Sequence, residues 1–329
     1  MATIKRLLRR LRSDLLIRMR PANHKRMTSG DEGFIIVAVL WILAALAALV
    51  SIYAIFVTNS AIAVSVNSDA IFADPLAAGG VELAAYQLIG TAQDKRPTAG
   101  NFTARIGAAR LTVAFVSEAA RIDLNAAAKE LLAGLFTGLG AKPLDAGGYA
   151  DRIIAWRTKP QAQGFVDTDP EDSLYRSGGL GYVPRHAPFA HASELWLVYG
   201  IPAAMIQAAL PLVTVFSGQA QIDIADAAPL VIAALPNMSP QIVQQILAAR
   251  ASGGLDPQTL AALTGGSGGG QQVSQAYRVG VRIDHQNGRH SGAEAVILLS
   301  DDGPDPYRVL SWRNGYDGAT DQAMDFGGR

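Results

Sequence analysis

Cysteine is absent from all 329 residues. Disulfide staples, thiolate nucleophiles, zinc–cysteine sites and cysteine-ligated iron–sulfur clusters are therefore excluded. Charge is sparse at 17% and aromatic residues reach only 7%, against 50% hydrophobic residues. That is not the composition of a disordered chain, and the length suffices for two or three ordinary domains with a sizeable core. Net charge is lacking too, with 28 basic and 28 acidic residues, but the balance is uneven. Residues 1–33 hold nine basic and three acidic side chains, which leaves 19 against 25 in the remainder. An acidic body lacks the positive surface of a general nucleic-acid binder, so no nucleic-acid partner is expected. Catalytic signatures are missing as well. His186 and His191 are five apart rather than on the four-residue spacing of a zinc helix, no Gly-x-Ser-x-Gly elbow occurs, and Ser291 beside His290 is an adjacency rather than a triad. The chain reads as a non-enzyme.

One long hydrophobic run is present. Phe34 to Val57 is 24 residues without a charge, enough for a helix rising about 1.5 Å per residue to cross a hydrocarbon layer of roughly 30 Å. The run is too long for a cleaved secretory h-region. Lys5, Arg6, Arg9, Arg10, Arg12, Arg18, Arg20, Lys25 and Arg26 precede it, whereas Thr58 to Ser68 carries no charge. The positive-inside rule then keeps the N-terminus in the cytoplasm and exports the body. Ile4, Leu7, Leu8, Leu11, Leu15 and Leu16 fall near one helical face between the arginines. They suit either an amphipathic helix on an anionic leaflet or a solvated leader that only sets topology.

At the cytoplasmic edge, Ser29-Gly30-Asp31-Glu32-Gly33 ends and Phe34 opens the apolar run. Gly33 followed by Phe34, and the stretch GFIIVAVLWILAALAALVSIYA, resemble the start of a type IV pilin-like protein. The resemblance implies cleavage after Gly33 by a prepilin peptidase and methylation of Phe34. Most pilin-like proteins carry Glu as the fifth mature residue, and here that position is Ala38. A carboxylate in an apolar layer needs a partner, and the new N-terminal amine of a neighbouring subunit is the natural one. A subunit without it suits the filament tip better than an internal position. Absence of that Glu is characteristic of the minor pseudopilin K family of type II secretion, which the whole chain resembles.

The body supports the same resemblance. The N-terminal helix is expected to continue past Val57 through Val81 to Ile89, with Pro75 and Gly79-Gly80 as points where it bends or breaks. Asn101 to Ile106 and Ala109 to Glu118 read as strands around a turn at Gly107. Arg121-Ile-Asp-Leu-Asn125 then opens a helical stretch to Phe136, and Gln221 to Pro236 matches it one hundred residues later. Ile122/Ile222, Asp123/Asp223, Ala127/Ala227, Ala128/Ala228, Ala133/Ala233 and Leu135/Leu235 coincide, so either a small helical unit repeats or two alanine-rich helices agree by chance. Asn125 and Asp226 are the expected caps, with Pro229 in the first turn. Tyr149 to Trp156 forms a further helix, Ser193 caps another segment, and Ser239-Pro240 starts a helix to Arg250. Trp156, Tyr175 and Trp196 are expected to anchor the core. Gly265 to Gly270 reads as a hinge. Gln275 to Ile283, Ala293 to Leu299 and Tyr307 to Trp312 read as closing strands. The R-I-D-L-N at 121–125, Ser193-Glu194-Leu195 and Y-R-V-L-S-W-R at 307–313 are similar to elements of the K family, where the first opens a bundle resembling helix-hairpin-helix modules.

One acidic cluster stands out. Asp167, Asp169, Glu171 and Asp172 place four carboxylates within six residues. Hard oxygen ligands at irregular spacing suit Ca²⁺, and the family resemblance implies calcium in this domain. No EF-hand pattern is present, and Arg157 and Lys159 lie just upstream, so a solvated or capping loop is the alternative.

The expected architecture is α/β, a pilin-like long N-terminal helix packed on an antiparallel sheet, with a large inserted all-α domain of helix-hairpin-helix-like units. Residues 1–33 are the cleaved basic leader and 34–57 the transmembrane segment. Residues 58–120 hold the rest of the helix and the first strands, 121–264 the inserted domain with two related units, and 265–329 the hinge and last strands. The resemblance implies a single-pass inner-membrane protein with a periplasmic body. It implies a place in a tip complex of minor pseudopilins, with the major pseudopilin, the inner-membrane secretion platform and the prepilin peptidase as further partners. A minor pilin-like subunit of a type IV pilus, adhesion or DNA-uptake apparatus is the alternative.

Overall fold

The computed structural model describes residues 31–160, 169–253, 255–264, 274–300 and 304–315. The leader to residue 30, Asp167 and the glycine-rich 265–270 stretch lie outside them. The chain divides into two compact units, Met1–Asn67 and Ser68–Arg329. Helix α1, Asp31–Ile89, begins in the first and ends in the second.

In the first unit, Phe34–Thr58 is long and apolar enough to cross a membrane, and none of its most apolar stretch is buried by protein. Phe34 and Trp41 are each 75% exposed. Two hydroxyls in the run are satisfied locally, Ser51 Oγ donating to the Ala47 carbonyl and Thr58 Oγ1 to that of Ala54, both at 2.8 Å. A backbone that closes its own hydrogen bonds is what a bilayer requires of a spanning segment.

In the second unit the same helix becomes one-sided. Ala77, Val81, Ala84, Ala85 and Leu88 recur on one face and are buried. They cover a five-stranded antiparallel sheet. Strand β1 (Ala99–Ile106) turns at Gly107, whose φ of 58° suits glycine, into β2 (Ala109–Ser117). The sheet order is β1-β2-β5-β6-β7, where β5 is Ala276–Asp284, β6 His290–Leu299 and β7 Tyr307–Asn314. Alternate residues of each inner strand face the helix: Leu111, Val113 and Phe115 on β2, Val279, Val281 and Ile283 on β5, and Ala293, Ala295 and Ile297 on β6. The helix is not interrupted at Pro75 or at the glycine pair. Gly80 instead permits close approach, since a Cβ there would lie 2.7 Å from Val281 Cγ1.

Between β2 and its neighbour β5 the chain runs through β3 (Ile122–Asp123), α2 (Lys129–Gly138), α3 (Pro143–Arg157), α4 (Pro170–Ser177), a 3-10 helix at Ala192–Leu197, α5 (Ala203–Ala209), β4 (Val213–Thr214), α6 (Pro229–Ala233), α7 (Pro240–Ala251) and α8 (Pro257–Thr264). The stretch is not purely helical, because β3 and β4 pair in parallel, Ile122 with Val213 and Asp123 with Thr214. Its core gathers Leu132, Phe136, Ile153, Trp156, Tyr175, Leu195, Ile222, Val231, Ile232 and Ile246. Trp156 and Tyr175 anchor it, whereas Trp196 is 47% exposed because its short 3-10 helix turns Leu195 inward instead.

Candidate functional site

Gly33 lies on the third residue of α1 and Phe34 on the fourth. Ala38, one turn further on, is half-buried and offers no group that binds an amine. The cleavage expected after Gly33 would therefore cut within this helix near its start.

The helical region is built twice on one local plan. In the first copy the buried Asp123 carboxylate accepts the Asn125 amide at 2.8 Å, and the Ala127 amide returns to the Asp123 carbonyl at 2.8 Å. In the second, Asp223 accepts the Ala225 amide at 2.9 Å, and the Ala227 amide returns to the Asp223 carbonyl at 3.1 Å. Each turn is closed by an arginine from the second helix of its copy. Arg157 Nη1 and Nη2 donate to the Leu124 and Ala127 carbonyls at 2.6 and 2.7 Å. Arg250 donates to the Ile224 carbonyl and, at 3.0 Å, to that of Ala227. Burial draws both guanidiniums below their ordinary pKa, opposed by Asp123 in one case and by Asp226 and Asp223 in the other. The copies meet at equivalent positions: a Cβ on Gly134 would collide with the Ala234 carbonyl.

The expected caps need correction. Helix α2 starts at Lys129 and α6 at Pro229, after Ala128 and Ala228, neither of which supplies a capping side chain. The aspartate turns delay the helices to Lys129 and Pro229, past the positions where Asn125 and Asp226 could cap. Asn125 instead bridges to Phe189, accepting its amide at 2.7 Å and donating to its carbonyl at 3.0 Å. Ser193 is not a cap either, since His191 Nδ1 accepts the Ser193 amide at 3.1 Å. Ser239 does cap, accepting the Ile242 amide at 3.2 Å, and Pro229 stands at the first helical position.

A buried ion network ties this region to the sheet. Glu118, fully buried, accepts Arg278 Nε of β5 at 2.7 Å, the Thr214 hydroxyl of β4 and Arg121 at 3.4 Å. Arg278 reaches Glu294 of β6 at 2.7 Å, and Glu294 pairs with Arg313 of β7 at 2.9 Å. Burial pushes the Glu118 carboxyl up, but the two arginines and the hydrogen bonds from Arg278 and Thr214 bring it below its ordinary pKa. Removing one partner of such a group leaves an uncompensated buried charge.

Three members of the acidic cluster are described. Asp169 caps α4, accepting the Glu171 amide at 2.8 Å. Asp172 pairs with His186 Nε2 at 2.9 Å and with Arg176 at 3.5 Å. Glu171 Oε1 is buried without a partner among the described residues. Burial pushes its carboxyl up, Arg152 opposing and Asp169 adding to the rise. Among the described residues no three acidic or histidine side chains form a metal-holding group, and Asp167 lies outside them. One open oxygen suits a cation, while Asp169 and Asp172 are already engaged. Three residues that matter here carried little signal in the sequence. Arg157 read as a competing cation and Arg250 as a helix end. Glu118 read as a strand residue.

Comparisons with known proteins agree with this architecture. Residues 109–218 match the family model for protein K of the type II secretion system. A chain in the crystal structure of the GspK-GspI-GspJ complex from the enterotoxigenic Escherichia coli type 2 secretion system superposes with a TM-score of 0.53 and 18% identity. The match covers 76% of this chain and 98% of that chain, and shows the fold. No curated protein matches. The matched third of the chain includes the R-I-D-L-N element at 121–125, and over residues 109–218 the chain is similar to protein K of the type II secretion system.

Proposed function

We propose that this chain is a non-enzymatic minor pseudopilin that stands at the tip of a type II secretion pseudopilus and helps to initiate or cap it. The filament would drive export of folded proteins across the outer membrane. The observation that carries the tip placement is Ala38 in a helix otherwise built as a pilin-like anchor. An internal subunit needs a carboxylate there to meet the next amine, and a tip subunit does not. The complex named for the structural neighbour joins GspK to GspI and GspJ, and counterparts of those two are the proposed partners here. The major pseudopilin, the inner-membrane platform and the prepilin peptidase complete the set. The basic leader supports a cytoplasmic N-terminus and a periplasmic body in the inner membrane.

The test is the mature N-terminus of membrane-extracted protein, read by mass spectrometry. A methylated Phe34 is expected, and Gly33→Leu should block processing and secretion together. Intact Met1 on functional protein would overturn the reading. Ala38→Glu should fold but misplace the subunit, and a normal complex with the other minor pseudopilins would remove the tip argument.

Calcium at Asp167, Asp169, Glu171 and Asp172 belongs to the same proposal, with the unpartnered Glu171 oxygen as its support. Added Ca²⁺ should raise the unfolding temperature and a chelator should reverse it. No shift would dismiss the site.

A further inference from the structure

The two copies of the aspartate turn differ in one respect. Asp123 is fully supplied: beyond the Asn125 amide, its second oxygen accepts the Ser217 hydroxyl at 2.9 Å and the Gly218 amide at 2.7 Å. Asp223, with 0% exposure, has the Ala225 amide and, among the described residues, no donor on its second oxygen. Nearby Asp226 also has a buried oxygen without a partner among the described residues. The counter-charge is present but turned aside. Arg250 spends Nη1 and Nη2 on the Ala227 and Ile224 carbonyls, and its Nε is buried without a partner among the described residues. Asp223 sits where the second copy meets the 3-10 turn Glu118–Ala120 that follows β2, its amide donating to the Ala119 carbonyl at 2.7 Å. The charged and titratable groups around the pair are Arg250 on α7, Tyr277 on β5 and, beyond Tyr277, Arg96.

Two neighbouring carboxylates with unpartnered buried oxygens lack a donor. A metal ion would have to lie beside the Arg250 guanidinium, which repels it. A proton meets no such obstacle, because it neutralises one carboxyl and supplies a hydroxyl donor to the pair. We propose that Asp223 and Asp226 form a proton-binding pair that tightens the second helical copy against the turn that follows β2 when occupied and loosens it when empty. Burial, with the Asp226 charge adding to it, pushes the Asp223 carboxyl up to about 6. Its folded pKa therefore lies above the unfolded value. The charged form weakens the fold at neutral pH, and stability is regained as pH falls through about 6. Asp123, one hundred residues earlier, has three donors and should show no such gain.

The experiment compares thermal unfolding of the full chain in detergent at pH 7.5 and pH 5.0 for wild type, Asp223→Asn and Asp123→Asn. Asp223→Asn should be more stable than wild type at pH 7.5. The gap should close at pH 5.0, by roughly tenfold in the folding equilibrium. His186 and Glu171 also titrate upward from their ordinary values, but they are common to both proteins and cancel in the difference. Asp123→Asn should be destabilised alike at both pH values. A gap between wild type and Asp223→Asn that does not change with pH overturns the proposal, as does a less stable Asp223→Asn at pH 7.5. Should that variant not fold, Asp226→Asn replaces it. Loss of the like charge must then move the midpoint of the wild-type stability rise to lower pH, and an unmoved midpoint is equally fatal.

Discussion

The two copies of the helical unit share a turn, an arginine closure and a central contact, yet they are not equally finished. The first encloses its aspartate with three donors to the carboxylate; the second leaves one oxygen on each of two carboxylates and a guanidinium nitrogen without partners among the described residues. Repetition in sequence has preserved the backbone plan more closely than the electrostatics. The shared residues hold carbonyls and amides, whereas the donors that distinguish the copies, Ser217 and Gly218, arrive from a segment beyond β4.

The sharpest way to break the comparison is at the point where the copies touch. Gly134→Val would drive a side chain into the Ala234 backbone, which cannot rotate away. A loss of about 3 kcal/mol or more in chemical denaturation is expected. A near-neutral result would mean that the helices can separate freely. Next come the two arginines. Arg157→Met and Arg250→Met should each cost about 2–4 kcal/mol, because two carbonyls lose charged donors. They should differ in pH response. Without Arg250 the Asp223 and Asp226 charges lose their counter-ion, so that variant should recover on going from pH 7.5 to 5.0, while Arg157→Met should not. Equal recovery of both would erase the distinction between the copies. The smallest effects concern the caps. Helix α7 has Ser239 before Pro240, but the equivalent start of α3 has Lys142 before Pro143 and no capping side chain. Ser239→Ala should lose, and Lys142→Ser should gain, about 1 kcal/mol each, read from denaturation midpoints.

The five strands of the large sheet and the long apolar helix were legible because local pattern decides them. Alternation marks 101–106 and 109–118, one residue past the end of β2, and an unbroken apolar run marks 34–57. The helix starts were misplaced at Asn125 and Asp226 because a buried aspartate turn competes with a cap for the same amides, and composition does not distinguish the two. Trp196 was assigned to the core on residue type alone, but the 3-10 helix decides which of Leu195 and Trp196 points inward. The network joining Glu118, Arg278, Glu294 and Arg313 had no sequence signal, since its partners lie on separate strands and meet only when the sheet closes. Asp169 and Asp172 were visible as acids, whereas their engagement with a helix start and with His186 was not.

That β2 and β5 are neighbours has a consequence for how the protein acquires its shape. Glu118 and Arg278 are 160 positions apart, so the middle of the sheet is assembled from the most distant pairing in the body. Closing so long a loop is entropically unfavourable until the intervening chain has collapsed. The helical region, rich in short-range contacts, should therefore organise early, with the β1–β2 hairpin waiting beside an open edge until the last three strands are delivered. A nascent chain halted before β5 would expose that edge to any other strand in reach, a hazard that synthesis in the N-to-C direction makes unavoidable.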